Sequence, residues 1–186
     1  ENNEGYENLT KIVSRGFVDG FYYKPRVDFE TLREFSKGII ASSACLAGEV
    51  ARNLAVNRYE DAKEAALRYR DIFGADNFFL ELQDHGLGVQ KAVNQQLIQL
   101  SQDTGIPLIA TNDIHYTNPE DWEAHDLLLC LQTGKKASDE DRMRYEGGQY
   151  YLKSEDEMRS LFAAVPEALE NTAKIAARCE VEIRFH

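Results

Sequence analysis

Three consecutive segments set the strongest limit on the fold: an apolar run "FFLELQ" (78–83), an amphipathic stretch "VQKAVNQQLIQLSQDTG" (89–105), and a second apolar run "PLIATNDIHY" (107–116). The middle segment has helical periodicity and stops at Gly105, while the outer two are short, apolar and suited to buried strands. Two strands joined through a helix pair in parallel, because a hairpin would leave the helix no place to pack. The rest of the chain continues the alternation. "KGIIASSAC" (37–45) reads as a third buried strand, running into Cys45. "YENLTKIVSRGF" (6–17), "FETLREFS" (29–36), "LAGEVARNLAVN" (46–57) and "RYEDAKEAALRYRDIFG" (58–74) read as helices, the last stopped by Gly74. Strand and helix in turn predict an α/β sheet or barrel, and three strands cannot close a barrel, so the expected fold is part of one.

After residue 116 the pattern becomes more helical. "PEDWEAHDLLLCLQTG" (119–134) places Pro119 in a first helical turn, and "PEALENTAKIAARC" (166–179) does the same with Pro166. "YYLKSEDEMRSLF" (150–162) reads as a short strand followed by a helix with Ser154 as N-cap and Glu157 completing a capping box. The mixed-charge segment "SDEDRMRYEGGQ" (138–149) is the expected mobile loop.

Composition narrows the function classes. There is no apolar run of the length a membrane span requires, and "ENNEGYENLTK" has neither the basic start nor the apolar stretch of a secretory signal. Cys45, Cys130 and Cys179 are odd in number and widely spaced, which fits a reducing cytoplasm better than a disulfide framework. The formal net charge of −11 argues against a surface built mainly to grip phosphates; nucleic-acid contacts would come chiefly from elsewhere in a larger protein.

The strands carry the chemistry at their ends. Ser42, Ser43 and Cys45 follow the first, Gln83, Asp84 and His85 the second, and Asn112, Asp113 and His115 the third. If strand geometry persists, Asp113 and His115 at i and i+2 share a face, and a carboxylate beside an imidazole at a buried strand end is a start for a metal site. His85, at the equivalent place, is read as a residue that supports such a site or contacts phosphate. Cys45 is read either as a buried structural thiol or as a thiolate ligand; no base that would make it a nucleophile is evident. Lys24 and Arg26, among the aromatics of "FYYKPRVDF" (21–29), are candidate phosphate contacts, with a simple Arg26–Asp28 charge pair as the alternative. His125 reads as a surface or packing residue, Cys130 and Cys179 as core, and the terminal His186 carries no information.

"GFYYKPRVDFETL", "IIASSACLAGEV", "FFLELQDHG", "ATNDIHYTNPEDWEAHDLLLCLQTG", "YYLKSEDEM" and "PEALENTAKIAARCEVE", in this order, resemble the PHP (polymerase and histidinol phosphatase) domain of bacterial DNA polymerase III alpha subunits. The resemblance covers essentially the whole chain. It implies a distorted β/α barrel whose strand ends hold divalent metal ions (Zn, Mn or Mg), with 1–150 as the later part of the barrel and 151–186 as a helical continuation toward the polymerase core. By motif, Cys45, Asp113 and His115 fall on metal ligands. The His-x-His motif and the further ligands that open the family's domain are not among these residues, so the resemblance implies a piece with an incomplete ligand set and little activity alone. For the parent it implies DNA polymerisation in the cytoplasm, with DNA and the other holoenzyme subunits, including a proofreading subunit, as partners. Whether the PHP domain is a metal-dependent 3′–5′ exonuclease or a non-catalytic platform depends on the ligands that would precede Glu1. A free-standing phosphatase is the third reading.

Overall fold

The computed structural model describes residues 1–185; His186 lies outside the described residues. Three parallel strands form one sheet in the order β1 (Ala41–Ser42), β2 (Phe78–Leu82), β3 (Leu108–Ala110). The register pairs Ala41 with Phe78 and Leu80 with Leu108. Helices α1 (Asn3–Val18) and α2 (Phe29–Glu34) precede β1, α3 (Glu49–Ala55) and α4 (Tyr59–Phe73) link it to β2, and α5 (Gly88–Thr104) links β2 to β3. Helices α6 (Trp122–Thr133), α7 (Glu155–Leu161) and α8 (Pro166–Arg178) follow.

Alternation along β2 divides the sheet into two faces. Phe78, Leu80 and Leu82 turn into an apolar core with Val50, Leu54, Ala62 and Ala66 of α3 and α4 and Val93, Leu97 and Leu100 of α5. Each fully buried leucine of this kind stabilises the fold by roughly 1.5–3 kcal/mol. The opposite face is polar at its centre: the Glu81 carboxylate accepts from Ser42 Oγ at 2.5 Å, from Gln83 Nε2 at 3.0 Å, and from the Thr111 hydroxyl. One side chain thus ties the ends of all three strands together.

The outer strands are shorter than the apolar runs predicted. The strand expected over 37–45 narrows to Ala41–Ser42 because Ala44, at φ 60°, turns the chain out of the extended region. The strand expected over 107–116 stops at Ala110, and Asp113, at φ 43°, turns the backbone away. "YYLK" makes a single parallel bridge, Tyr116 to Tyr151, rather than a strand. The helix signals translate directly. Ser154 and Glu157 form the capping box of α7, and Gly105 and Gly134 close α5 and α6 in the left-handed conformation that favours glycine.

Helix α8 packs along β3, and its Ala168 joins the core. Asn171 Nδ2 donates to the carbonyl of Leu108 at 2.9 Å, and Thr172 Oγ1 to that of Ala110 at 3.1 Å. The segment expected to be mobile, 138–149, is anchored: Arg142, its side chain 5% exposed, grips both oxygens of Asp126 on α6 at 2.6 Å. The first helix is the least covered. Tyr6, Leu9, Val13 and Phe17 on α1 are each about half exposed. No helix among the described residues is long and apolar enough to cross a membrane.

Candidate metal centre

All three strands are parallel, so the residues that follow them gather at one end of the sheet. After β3 the chain turns through Asp113, and this turn, not extended geometry, brings the Asp113 carboxylate to 3.4 Å from His115 Nε2. The expected pairing of the two side chains is present, through a different backbone. Asp113 and His115 are 39% and 27% exposed at the side chain, so a hydrated ion could reach them. The backbone N–H of His115 donates to the Tyr150 carbonyl at 2.8 Å, which pins the turn.

His85, after β2, is 2% exposed, and both its ring nitrogens are used. Nε2 lies 2.7 Å from the Asn112 carbonyl, which can only accept, so Nε2 carries the proton and Nδ1 accepts from Gln90 Nε2 at 3.1 Å. In this tautomer no lone pair is free for a metal. Burial holds the His85 pKa below the ordinary imidazole value, although the hydrogen bond to Asn112 and the charge of Asp113 oppose the shift. His85 therefore fixes Asn112, the residue before Asp113.

Lys153 acts on Asn112 from the other side. The residue is 9% exposed; its ammonium donates to Asn112 Oδ1 at 3.2 Å and to the Gln149 carbonyl, and lies 4.2 Å from the centre of the Tyr151 ring. Burial lowers its pKa. Aromatic rings complete the surroundings: Tyr150 stacks on His85 at 3.9 Å, and Tyr145 and His125 lie 4.4 Å and 5.2 Å from His115. Sequence reasoning missed Lys153, Tyr145 and Tyr150, and it read His125 as a surface or packing residue. The available signal was a lysine inside the otherwise apolar "YYLK".

Cys45, partly buried, follows β1 and lines a narrow crevice with Glu81, Gln83 and Gln90. Burial, and then the charge of Asp113, raise the Tyr150 hydroxyl pKa. Among the described residues no three His, Cys, Asp or Glu side chains converge as a complete metal-holding group. The donor chemistry nevertheless fits a divalent ion at one edge: a carboxylate and an imidazole adjacent and accessible, with a thiol at the same end of the sheet. Gln83 Oε1 is buried without a partner in the crevice beside Cys45, a costly state that a further donor would relieve. Replacing Ala44 with glycine removes a left-handed alanine next to Cys45. The expected result is an unchanged or higher melting temperature, against the usual loss of about 0.5–1 kcal/mol for Ala→Gly in regular structure, and thermal unfolding measures it.

Lys24 and Arg26 are not brought to these residues. Both lie on the α1–α2 connection, where the Arg26 guanidinium sits 5.5 Å from the centre of the Tyr22 ring and lines a separate groove with Arg15 and Asp19. Asp28 caps α2 by accepting from Thr31 N at 2.8 Å, and no Arg26–Asp28 ion pair occurs among the described residues.

Comparison with known proteins supplies the family context. Residues 1–85 match the PHP domain family, a span that holds Cys45 and His85 and ends before Asp113 and His115. The chain is 47% identical over 180 residues to DNA polymerase III subunit alpha of Borreliella burgdorferi, covering 97% of the chain and 16% of that protein. It is 46% identical over 183 residues to the subunit of Treponema pallidum, covering 98% and 16%. It is 40% identical over 182 residues to that of Thermus aquaticus, covering 96% and 15%. The chain thus spans about a sixth of the length of the relatives it matches. Residues 1–85 thus match the PHP domain, and nearly the whole chain is similar to a segment of DNA polymerase III alpha subunits.

Proposed function

We propose that the chain is part of the alpha subunit of a replicative bacterial DNA polymerase, working in the cytoplasm with DNA and the other holoenzyme subunits. Its strand ends contribute to the divalent-metal centre of a β/α barrel, with residues 1–150 as barrel and 151–186 as its helical continuation. The observation that carries this reading is the Asp113–His115 pair, 3.4 Å apart at the C-terminal end of a parallel sheet, where barrels place their active residues.

Asp113 and His115 would hold the ion, Cys45 would serve as a further ligand, and the remaining ligands would come from other parts of the parent. When bound, a divalent ion lowers the pKa of its water and neutralises charge on a transferring phosphoryl group, the chemistry of a 3′–5′ exonuclease or phosphoesterase. The chain's own residues set the geometry. His85 and Lys153 fix Asn112 from two sides, the Tyr150 carbonyl holds the His115 backbone, and Glu81 fastens the three strand ends beneath.

A second reading has its own support. The half-exposed apolar residues of α1 suit a non-catalytic platform that stabilises the polymerase and docks a proofreading subunit. One experiment separates the two. In the full-length parent, purified without its proofreading subunit, hydrolysis of single-stranded DNA from the 3′ end is expected to stop with a chelator and return with Mn²⁺ or Zn²⁺. Cys45→Ser is expected to lower the metal content measured by mass spectrometry. Metal content unaltered by Cys45→Ser, with no chelator-sensitive hydrolysis, would leave the platform reading in its place.

A further inference from the structure

Beside the Asp113–His115 pair is a pocket that the metal reading does not use. It has a volume of about 410 Å³ and is lined by Trp122, Asp126, Arg142, Arg144, Tyr145 and the Gly147–Gly148 turn. Such a volume lies within the range of small-molecule sites, roughly 300–1,000 Å³. Its chemistry is aromatic and cationic in a chain that is strongly acidic elsewhere.

The walls differ in their commitments. Arg142 and Asp126 neutralise each other through two hydrogen bonds of 2.6 Å, which makes them a rigid wall rather than a contact for a ligand. Asp139 Oδ2 accepts from the Lys136 N–H at 2.9 Å. Arg144 donates to the Asp139 carbonyl at 3.2 Å and, among the described residues, pairs with no carboxylate. Its charge is available to an anion. Trp122 is 48% exposed, and a Cβ built on Gly148 would lie 3.9 Å from its Cγ and Cδ1. One part of the indole therefore rests against the loop backbone while much of the rest stays open. Tyr145 belongs both to the pocket and to the metal pair, its ring 4.4 Å from that of His115.

An open indole, a phenol and an uncommitted guanidinium form a stacking platform with a cation beside it, the pairing that recognises single-stranded nucleic acid without reading its sequence. We propose that this pocket holds a base of single-stranded DNA, stacked on Trp122, with its phosphate drawn by Arg144 and the neighbouring phosphodiester directed past Tyr145 toward Asp113 and His115. The assignment deepens the nuclease reading by naming a base subsite for its substrate. Its orientation toward Asp113 rests on that reading; binding at the pocket does not.

Trp122 is the sole tryptophan of the chain, so its fluorescence reports on this pocket alone. Oligothymidylate of four residues, titrated into the 186-residue chain in excess EDTA, is expected to quench that emission to saturation, less readily as salt rises. Arg144→Gln, at an exposed position, is expected to weaken binding about ten-fold, with an unchanged circular dichroism spectrum. Trp122→Ala is expected to do the same in fluorescence anisotropy with a labelled oligonucleotide, since one lost stacking contact is worth about ten-fold. Thymidine without a phosphate should bind more weakly than thymidine monophosphate. Unquenched emission, or equal affinity in Arg144→Gln, would overturn the proposal. Hexaglutamate quenching as strongly and displacing the oligonucleotide would overturn it in favour of an acidic peptide. Because EDTA removes the metal, loss of the nuclease reading leaves these outcomes intact, and loss of quenching leaves the metal pair to be judged on its own test.

Discussion

Asp113→Asn in the full-length parent polymerase is expected to lower exonuclease activity assigned to the PHP domain by about two orders of magnitude or more, while polymerisation falls far less. Residues that merely orient metal ligands cost roughly 10–100-fold when changed, and a ligand should cost at least the upper end of that range. The substitution keeps the shape of the side chain and removes the charge that would attract the ion and face His115 Nε2 at 3.4 Å. Asparagine also tolerates the left-handed backbone found at this position, so the turn itself should survive. The assay pairs 3′–5′ hydrolysis and primer extension with a melting curve. Loss of hydrolysis at an unchanged melting temperature supports catalysis at this site. Intact hydrolysis with a lower melting temperature and weaker extension supports the platform.

His85→Leu is expected to destabilise the chain by about 3 kcal/mol, measured by urea unfolding. The change is nearly neutral in size, so the cost comes from polar groups. The Asn112 carbonyl and the Gln90 amide lose their ring partners in a buried site, at roughly 1–3 kcal/mol each. The stack on Tyr150 at 3.9 Å is lost as well. The pH dependence gives a second signature. Burial depresses the folded-state pKa of His85, so the unfolded chain binds the proton more readily. The contribution is complete above the unfolded value, about 6.5, and is lost as pH falls through the depressed folded value. Wild type should therefore lose stability between neutral and mildly acidic pH through this group, and that component should be missing in His85→Leu.

Local signals were legible in the sequence where local chemistry decides. The capping box of Ser154 and Glu157, the glycine stops at 105 and 134, and the strand–helix alternation depend on neighbours in the chain. Strand length was not legible, because Ala44 adopts a left-handed conformation that nothing in its side chain announces, and Asp113 one that an aspartate tolerates without requiring it. The site was half legible. Asp113 and His115 are two residues apart and were found together, although by an argument from extended geometry that the backbone does not follow. The role of His85 depends on Asn112, 27 residues on, and that of Lys153 on the same residue 41 positions back. Such contacts exist only once the sheet is assembled.

The α8 hydrogen bonds to β3 give the sheet a direction of growth. A new strand on the β3 side would have to displace Asn171 and Thr172 from the carbonyls of Leu108 and Ala110, surrendering two bonds before gaining any. β1 stands at the other end of the strand order, and among the described residues no side chain guards the backbone of Ala41 or Ser42 in this way. Extension of the sheet, whether by further strands of a parent chain or by a second molecule, is thereby channelled to the β1 side. The short polar stretch Ser42–Ser43 there offers little apolar surface to an unintended partner.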